Sequence, residues 1–89
     1  MTDEKEKREG MIQLLDNEYD WPAKYIFKFV VLASQINQLK QLVGDEGISM
    51  KMSSKGKYIS LTIKRVMNSS LEVVEFYEKV YVIEGIITL

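Results

Sequence analysis

From Ser53 to Ile63 a polar, glycine-containing turn runs straight into a segment in which apolar and polar residues alternate almost strictly, Tyr58-Ile59-Ser60-Leu61-Thr62-Ile63. Side chains of a strand point to opposite faces with a period of two, so this pattern predicts a β-hairpin. Its outgoing strand runs to about Val66, with Ile59, Leu61 and Ile63 on one face and Tyr58, Ser60, Thr62 and Lys64 on the other. The incoming strand opens at Gly47, with Ile48, Met50 and Met52 turned inward as core filling and Ser49, Lys51 and Ser53 outward. Ala23 to Val31, rich in aromatic and β-branched residues, reads as another strand. It places Ala23, Tyr25, Phe27, Phe29 and Val31 on one face and Lys24, Ile26, Lys28 and Val30 on the other.

Between the strands the apolar period changes to three and four. Ile36, Leu39, Leu42 and Val43 predict a short amphipathic helix, with Ser34 as its cap and Gly44 as its end. Ser69 and Glu72 stand at capping-box spacing before Val73, Val74, Phe76, Tyr77, Val80 and Tyr81, which predict a second helix. After Gly85, the segment Ile86-Ile87-Thr88-Leu89 reads as a last strand. The order βαββαβ, with right-handed crossovers, predicts an α+β ferredoxin-like sandwich: a four-stranded antiparallel sheet with two helices on one face. Its expected core contains Phe27, Phe29, Ile59, Leu61, Ile63, Val73, Tyr77 and Ile87.

Residues 1–20 stand apart as an acidic, partly disordered leader, and 21–89 form the domain. The leader carries seven acids against three bases, whereas the rest carries nine bases against six acids. Residues 1 to about 9 are nearly all charged or polar and are expected to form a disordered tail. From Glu9, the spacing of Met11, Ile12, Leu14, Leu15 and Tyr19 predicts a short helix, broken by Trp21-Pro22.

Composition narrows the chemistry. With no histidine and no cysteine among its 89 residues, the chain lacks the commonest general base, a thiolate nucleophile and the usual zinc ligands. Asp45-Glu46, flanked by Gly44 and Gly47, reads as a turn, not a metal site. No catalytic residue, metal or cofactor is expected. The longest apolar run, Phe29 to Ala33, is too short to cross a bilayer, and the acidic start lacks the basic opening of a signal peptide. The expected location is the cytoplasm.

The candidate binding residues lie in the hairpin: Ser53, Ser54, Lys55, Gly56, Lys57 and Tyr58, whose hydroxyls, ammonium groups and turn amides suit an anion or an acidic partner. Turn chemistry alone also accounts for the glycine and the serines. Lys24, Lys28, Lys51 and Lys64, with Ser49, Ser60, Thr62 and Tyr58, are expected on the sheet face away from the helices as a polar, basic platform. The stretch Lys55-Gly56-Lys57-Tyr58 is superficially like an RNA-recognition strand, but its stacking positions fall on Lys57 and Ile59, so RNA is the weaker reading.

The run Ser53-Ser54-Lys55-Gly56-x-Tyr58-x-Ser60-x-Thr62, preceded by Trp21-Pro22 and followed by Gly85-Ile86-Ile87-x-Leu89, resembles the YbeD-like family of small uncharacterised bacterial proteins over about residues 21–89. The resemblance implies a compact ferredoxin-like domain similar to ACT domains, which sense amino acids and regulate enzymes, with no established activity. The junction Val31-Leu32-Ala33-Ser34 departs from the ACT pattern in lacking a glycine where ligand approaches backbone. The expectation is a non-enzymatic regulatory or adaptor module that binds a small anionic metabolite or an acidic protein partner, as a monomer or an edge-paired homodimer; the alternative is weak RNA binding through the basic sheet face.

Overall fold

The computed structural model describes residues 2–53 and 55–89. In chain order the elements are α1 (Thr2–Glu18), β1 (Ala23–Leu32), a 3-10 turn (Ala33–Gln35), α2 (Ile36–Val43), β2 (Ile48–Met52), β3 (Tyr58–Met67), α3 (Ser70–Val80) and β4 (Ile87–Thr88). The four strands form one antiparallel sheet in the order β2-β3-β1-β4. The class is α+β, with an open four-stranded sheet and three helices, two of them those expected between the strands and the third in the leader.

β1 and β3 pair over their full length, from Ala23 opposite Met67 to Leu32 opposite Tyr58. The alternation in each strand fixes the faces: Phe27, Phe29, Val31, Ile59, Leu61, Ile63 and Met67 are buried on the helix side. From α3 come Val73, Val74, Phe76 and Val80, from α2 Leu39 and from α1 Leu15. The Phe76 ring stacks on Phe27 with centroids 4.0 Å apart. These side chains make one continuous core.

Local signals set the ends of the elements. Ser69 Oγ accepts from the Glu72 amide at 3.2 Å, as the capping spacing predicts. The Glu72 carboxylate, however, reaches Asn68 N–H at 3.3 Å, one residue before the cap. α2 ends at Gly44, whose φ is +80° and whose amide bonds Lys40 O. Ser34 makes no cap bond. Gln35 stands at the N-cap position instead, without a side-chain cap bond to α2; its side-chain oxygen accepts from Leu32 N–H and its amide nitrogen donates to Glu84 O, tying the end of β1 to the loop before β4.

Three further expectations change. Residues 2–9, expected to be a disordered tail, belong to the single helix α1; Arg8 on that helix pairs with Glu78 of α3 at 2.9 Å. Met50 and Met52, expected in the core, are 50% and 62% exposed. They do lie on the helix side, opposite buried Leu61 and Ile59, but β2 is an edge strand and the helix layer leaves them open. Ile87, also expected in the core, pairs with Val30, so it belongs to the opposite face and is 51% exposed.

Candidate functional site

The sheet face away from the core carries no helix. On β1 it presents Lys24, Ile26, Lys28 and Val30, on β3 Tyr58, Ser60, Thr62, Lys64 and Val66, on β2 Ser49 and Lys51, and on β4 Ile87. The register makes a checkerboard at one end: Lys24 lies opposite Val66, and Ile26 opposite Lys64. Lys28 is opposite Thr62, and Lys51 opposite Ser60. All four lysines are exposed, no Asp or Glu side chain shares the face, and none of the four is in an ion pair among the described residues. The basic platform predicted from strand alternation is therefore assembled, with aliphatic residues between its charges.

The hairpin stands at one end of this face. Ser53 N–H donates to Tyr58 O at 2.9 Å, Gly56 N–H donates to Ser53 O at 2.9 Å, and the Ser53 hydroxyl accepts from Tyr58 N–H at 3.2 Å. Gly56 has φ +69°, the left-handed conformation the turn requires. Lys55 and Lys57 are exposed, and Lys57 Nζ lies 5.6 Å from the centre of the Tyr58 ring. Ser54 lies outside the described residues. Three of the hairpin's amides, those of Ser53, Gly56 and Tyr58, and the Ser53 hydroxyl are thus occupied within the hairpin.

Arg65, which sequence reasoning passed over, organises the opposite end of β3. It lies on the core side, its guanidinium centre 5.4 Å from the centre of the Phe76 ring. From there it donates to Glu46 O at 2.9 Å, to Gly44 O at 3.1 Å and to Val43 O. One fork therefore satisfies carbonyls at the end of α2 and in the loop to β2, where the helix dipole also favours a cation. An arginine at an inward strand position was the available signal, because such a residue has to find several acceptors.

A groove of 390 Å³ lies between α1 and α3. Met11, Val74, Tyr77 and Tyr81 line it together with the Arg8–Glu78 pair. The Tyr77 hydroxyl shares a hydrogen bond with Tyr25 at 3.1 Å, and burial, with that bond second, raises its pKa above the ordinary 10.0. It therefore stays protonated at neutral pH and supplies no base. Among the described residues no three Asp or Glu side chains converge as a metal cage requires, and no helix is long and apolar enough to cross a membrane.

No curated protein and no solved structure matches the chain. One family model does, that of a protein family of unknown function, DUF493; it matches residues 16–89, from the last turn of α1 through the whole sheet. With well over half of its length inside that match, the chain belongs to the DUF493 family of proteins of unknown function.

Proposed function

We propose that this chain is a cytoplasmic, non-enzymatic regulatory or adaptor module whose uncovered sheet face takes an acidic protein partner. The observation that carries this reading is the set Lys24, Lys28, Lys51 and Lys64, exposed on one face without an acidic side chain and interleaved with Ile26, Val30 and Val66. Charge alone would suit any anion, but aliphatic residues between the charges suit a protein surface, which contributes apolar area of its own. The rest of the chain selects further. Outside this face, eight of the twelve bases remain to balance all thirteen acids. A long polyanion such as RNA would meet that acidic surround, whereas a compact acidic patch would not. Among the described residues the only aromatic ring on the face is Tyr58, which by itself makes no stacking platform for bases.

The finer family reading belongs with this proposal. The units β1-α2-β2 and β3-α3-β4 interleave their strands in the order β2-β3-β1-β4, which we read as ferredoxin-like, with α1 added. The YbeD-like and ACT-like likeness accords with that reading. A small anionic metabolite at Ser53, Lys55 and Lys57 is the second reading, supported by two exposed ammonium groups on one short turn.

A fluorescent oligoglutamate peptide titrated into the full chain tests the proposal. Binding is expected at low salt, to weaken steeply as salt rises, and to be lost in the double variant Lys24→Glu, Lys64→Glu while surviving Lys55→Glu. Binding that is indifferent to reversal on the sheet face but lost with Lys55→Glu would move the site to the hairpin.

A further inference from the structure

The chain has one tryptophan and five tyrosines, and all but Tyr58 fall on a single path of neighbouring rings. Trp21, just before β1, stacks on Tyr19 with centroids 5.4 Å apart, and Tyr19 lies 5.5 Å from Tyr25. Tyr25 meets Tyr77 edge to face at 6.3 Å, their hydroxyls 3.1 Å apart in a shared hydrogen bond. Tyr81, at the end of α3, follows Tyr77 at 6.0 Å. Every step lies within the spacing of contacting aromatic pairs. Phe27 adjoins both Tyr25 and Tyr77, and packing alone asks only for rings at these positions. What sets the five apart is redox chemistry, because indole and phenol give up one electron far more readily than phenyl. The two ends of the path also differ. At Trp21 the indole N–H donates to the Asp16 carboxylate at 2.9 Å, and that negative charge favours a cationic indole. A phenol that loses an electron has to lose its proton as well. Tyr77 is partly buried, its hydroxyl is bonded to another phenol, and burial disfavours its ionisation. Tyr81 is 55% exposed, and the Thr88 hydroxyl donates to its oxygen at 3.3 Å, which leaves the Tyr81 proton free to pass to water.

We infer that this path carries an oxidising equivalent from Trp21 past the core to Tyr81. A one-electron oxidising radical takes an electron from the Trp21 indole. Tyr19, Tyr25 and Tyr77 each pass one electron toward Trp21 in turn, and the Tyr81 phenol supplies the last. The net change is one electron to the oxidant and one proton from Tyr81 to water, which leaves a neutral tyrosyl radical at the surface. A soluble thiol, as a hydrogen-atom donor, returns electron and proton together; Tyr81 is restored and the thiol becomes a thiyl radical. The buried phenyl rings of Phe27 and Phe76 take no part, and the oxidising equivalent leaves without resting among them.

The test uses the full chain and azide radicals, a one-electron oxidant that prefers indole, made by pulse radiolysis at neutral pH. The indolyl absorbance is expected to decay into tyrosyl absorbance at a rate independent of protein concentration. With a nitroso spin trap present, peptide mass is expected to find the adduct chiefly on Tyr81. Tyr58, exposed on the other face of the sheet and off the path, reports direct attack on an open phenol. Tyr77→Phe keeps a ring in place but breaks the path, and the ratio of Tyr81 to Tyr58 adduct is expected to fall severalfold. Trp21→Phe removes the entrance at the margin of the core and is expected to lower the same ratio; it decides the matter even where loss of the Tyr25 hydrogen bond unfolds the first variant. An unchanged ratio in a folded variant, or transfer that quickens with protein concentration, would overturn the relay.

Discussion

Gly47 and Gly56 both hold a positive φ, +72° and +69°, yet their surroundings separate them. A Cβ on Gly56 would meet only Met52 Sδ at 3.5 Å, an ordinary contact, so Gly56→Ala is expected to cost about 1 kcal/mol of backbone strain. On Gly47 it would fall 2.1 Å from Lys64 O, a backbone atom held in the β2–β3 ladder. Gly47→Ala is therefore expected to cost about 3 kcal/mol or more, and chemical denaturation of the two variants side by side checks the ranking. Arg65 belongs to the same scale. Arg65→Lys keeps a cation near the end of α2 but cannot reach three carbonyls, and a loss of roughly 2 kcal/mol is expected in the same measurement. Tyr77 adds a pH dependence. Its folded pKa is raised, so above the ordinary value of 10.0 the unfolded chain releases a proton that the folded one retains. The stability linked to Tyr77 is complete below about pH 10 and falls as pH rises beyond it; Tyr77→Phe is expected to flatten that fall in urea melts taken at rising pH.

At the scale of elements, α1 joins two unlike halves. Leu15 is buried in the common core, whereas Glu4 to Lys7 and Glu9 to Gly10 are exposed. Deleting residues 1–9 is expected to leave the unfolding midpoint nearly unchanged, while Leu15→Ala costs about 2 to 5 kcal/mol, as emptying a buried leucine site does. Thermal melts of the two decide between a helix that belongs to the core and one that merely rests on it. The contrast also marks what the sequence makes legible. β1, β3 and α3 were readable because each has one buried and one exposed face, and periodicity reports that difference directly. Met50 and Met52 were misread because alternation says which way a side chain points, not whether another element covers it. Ile87 was misread because its strand is two residues long, too short for any period. The helical conformation of residues 2–9 gave no amphipathic signal, since that stretch is charged all round. Arg65 was missed because its acceptors lie about twenty residues upstream in a separate element.

For the whole molecule, the layer of helices closes one side of the sheet and leaves the other to lysines and aliphatic residues, so a near-neutral chain acquires two unlike sides. The face assignments of the binding platform followed from strand alternation, whereas the pairs that set lysines opposite aliphatic residues, Lys24 with Val66 and Lys64 with Ile26, show only in the folded register. The open helix-side margin of β2 has a chemical consequence of a different kind. Met50 and Met52 offer their thioethers to solvent, while Met67 is buried at 6% exposure and Met11 packs against the core. Mild peroxide treatment of the folded protein is expected to convert Met50 and Met52 to sulfoxides before Met11, read by peptide mass, with Met67 modified only on unfolding. The flank of β2 would thereby become polar without any change of sequence, so that the oxidative history of a sample is recorded on one edge of the sheet.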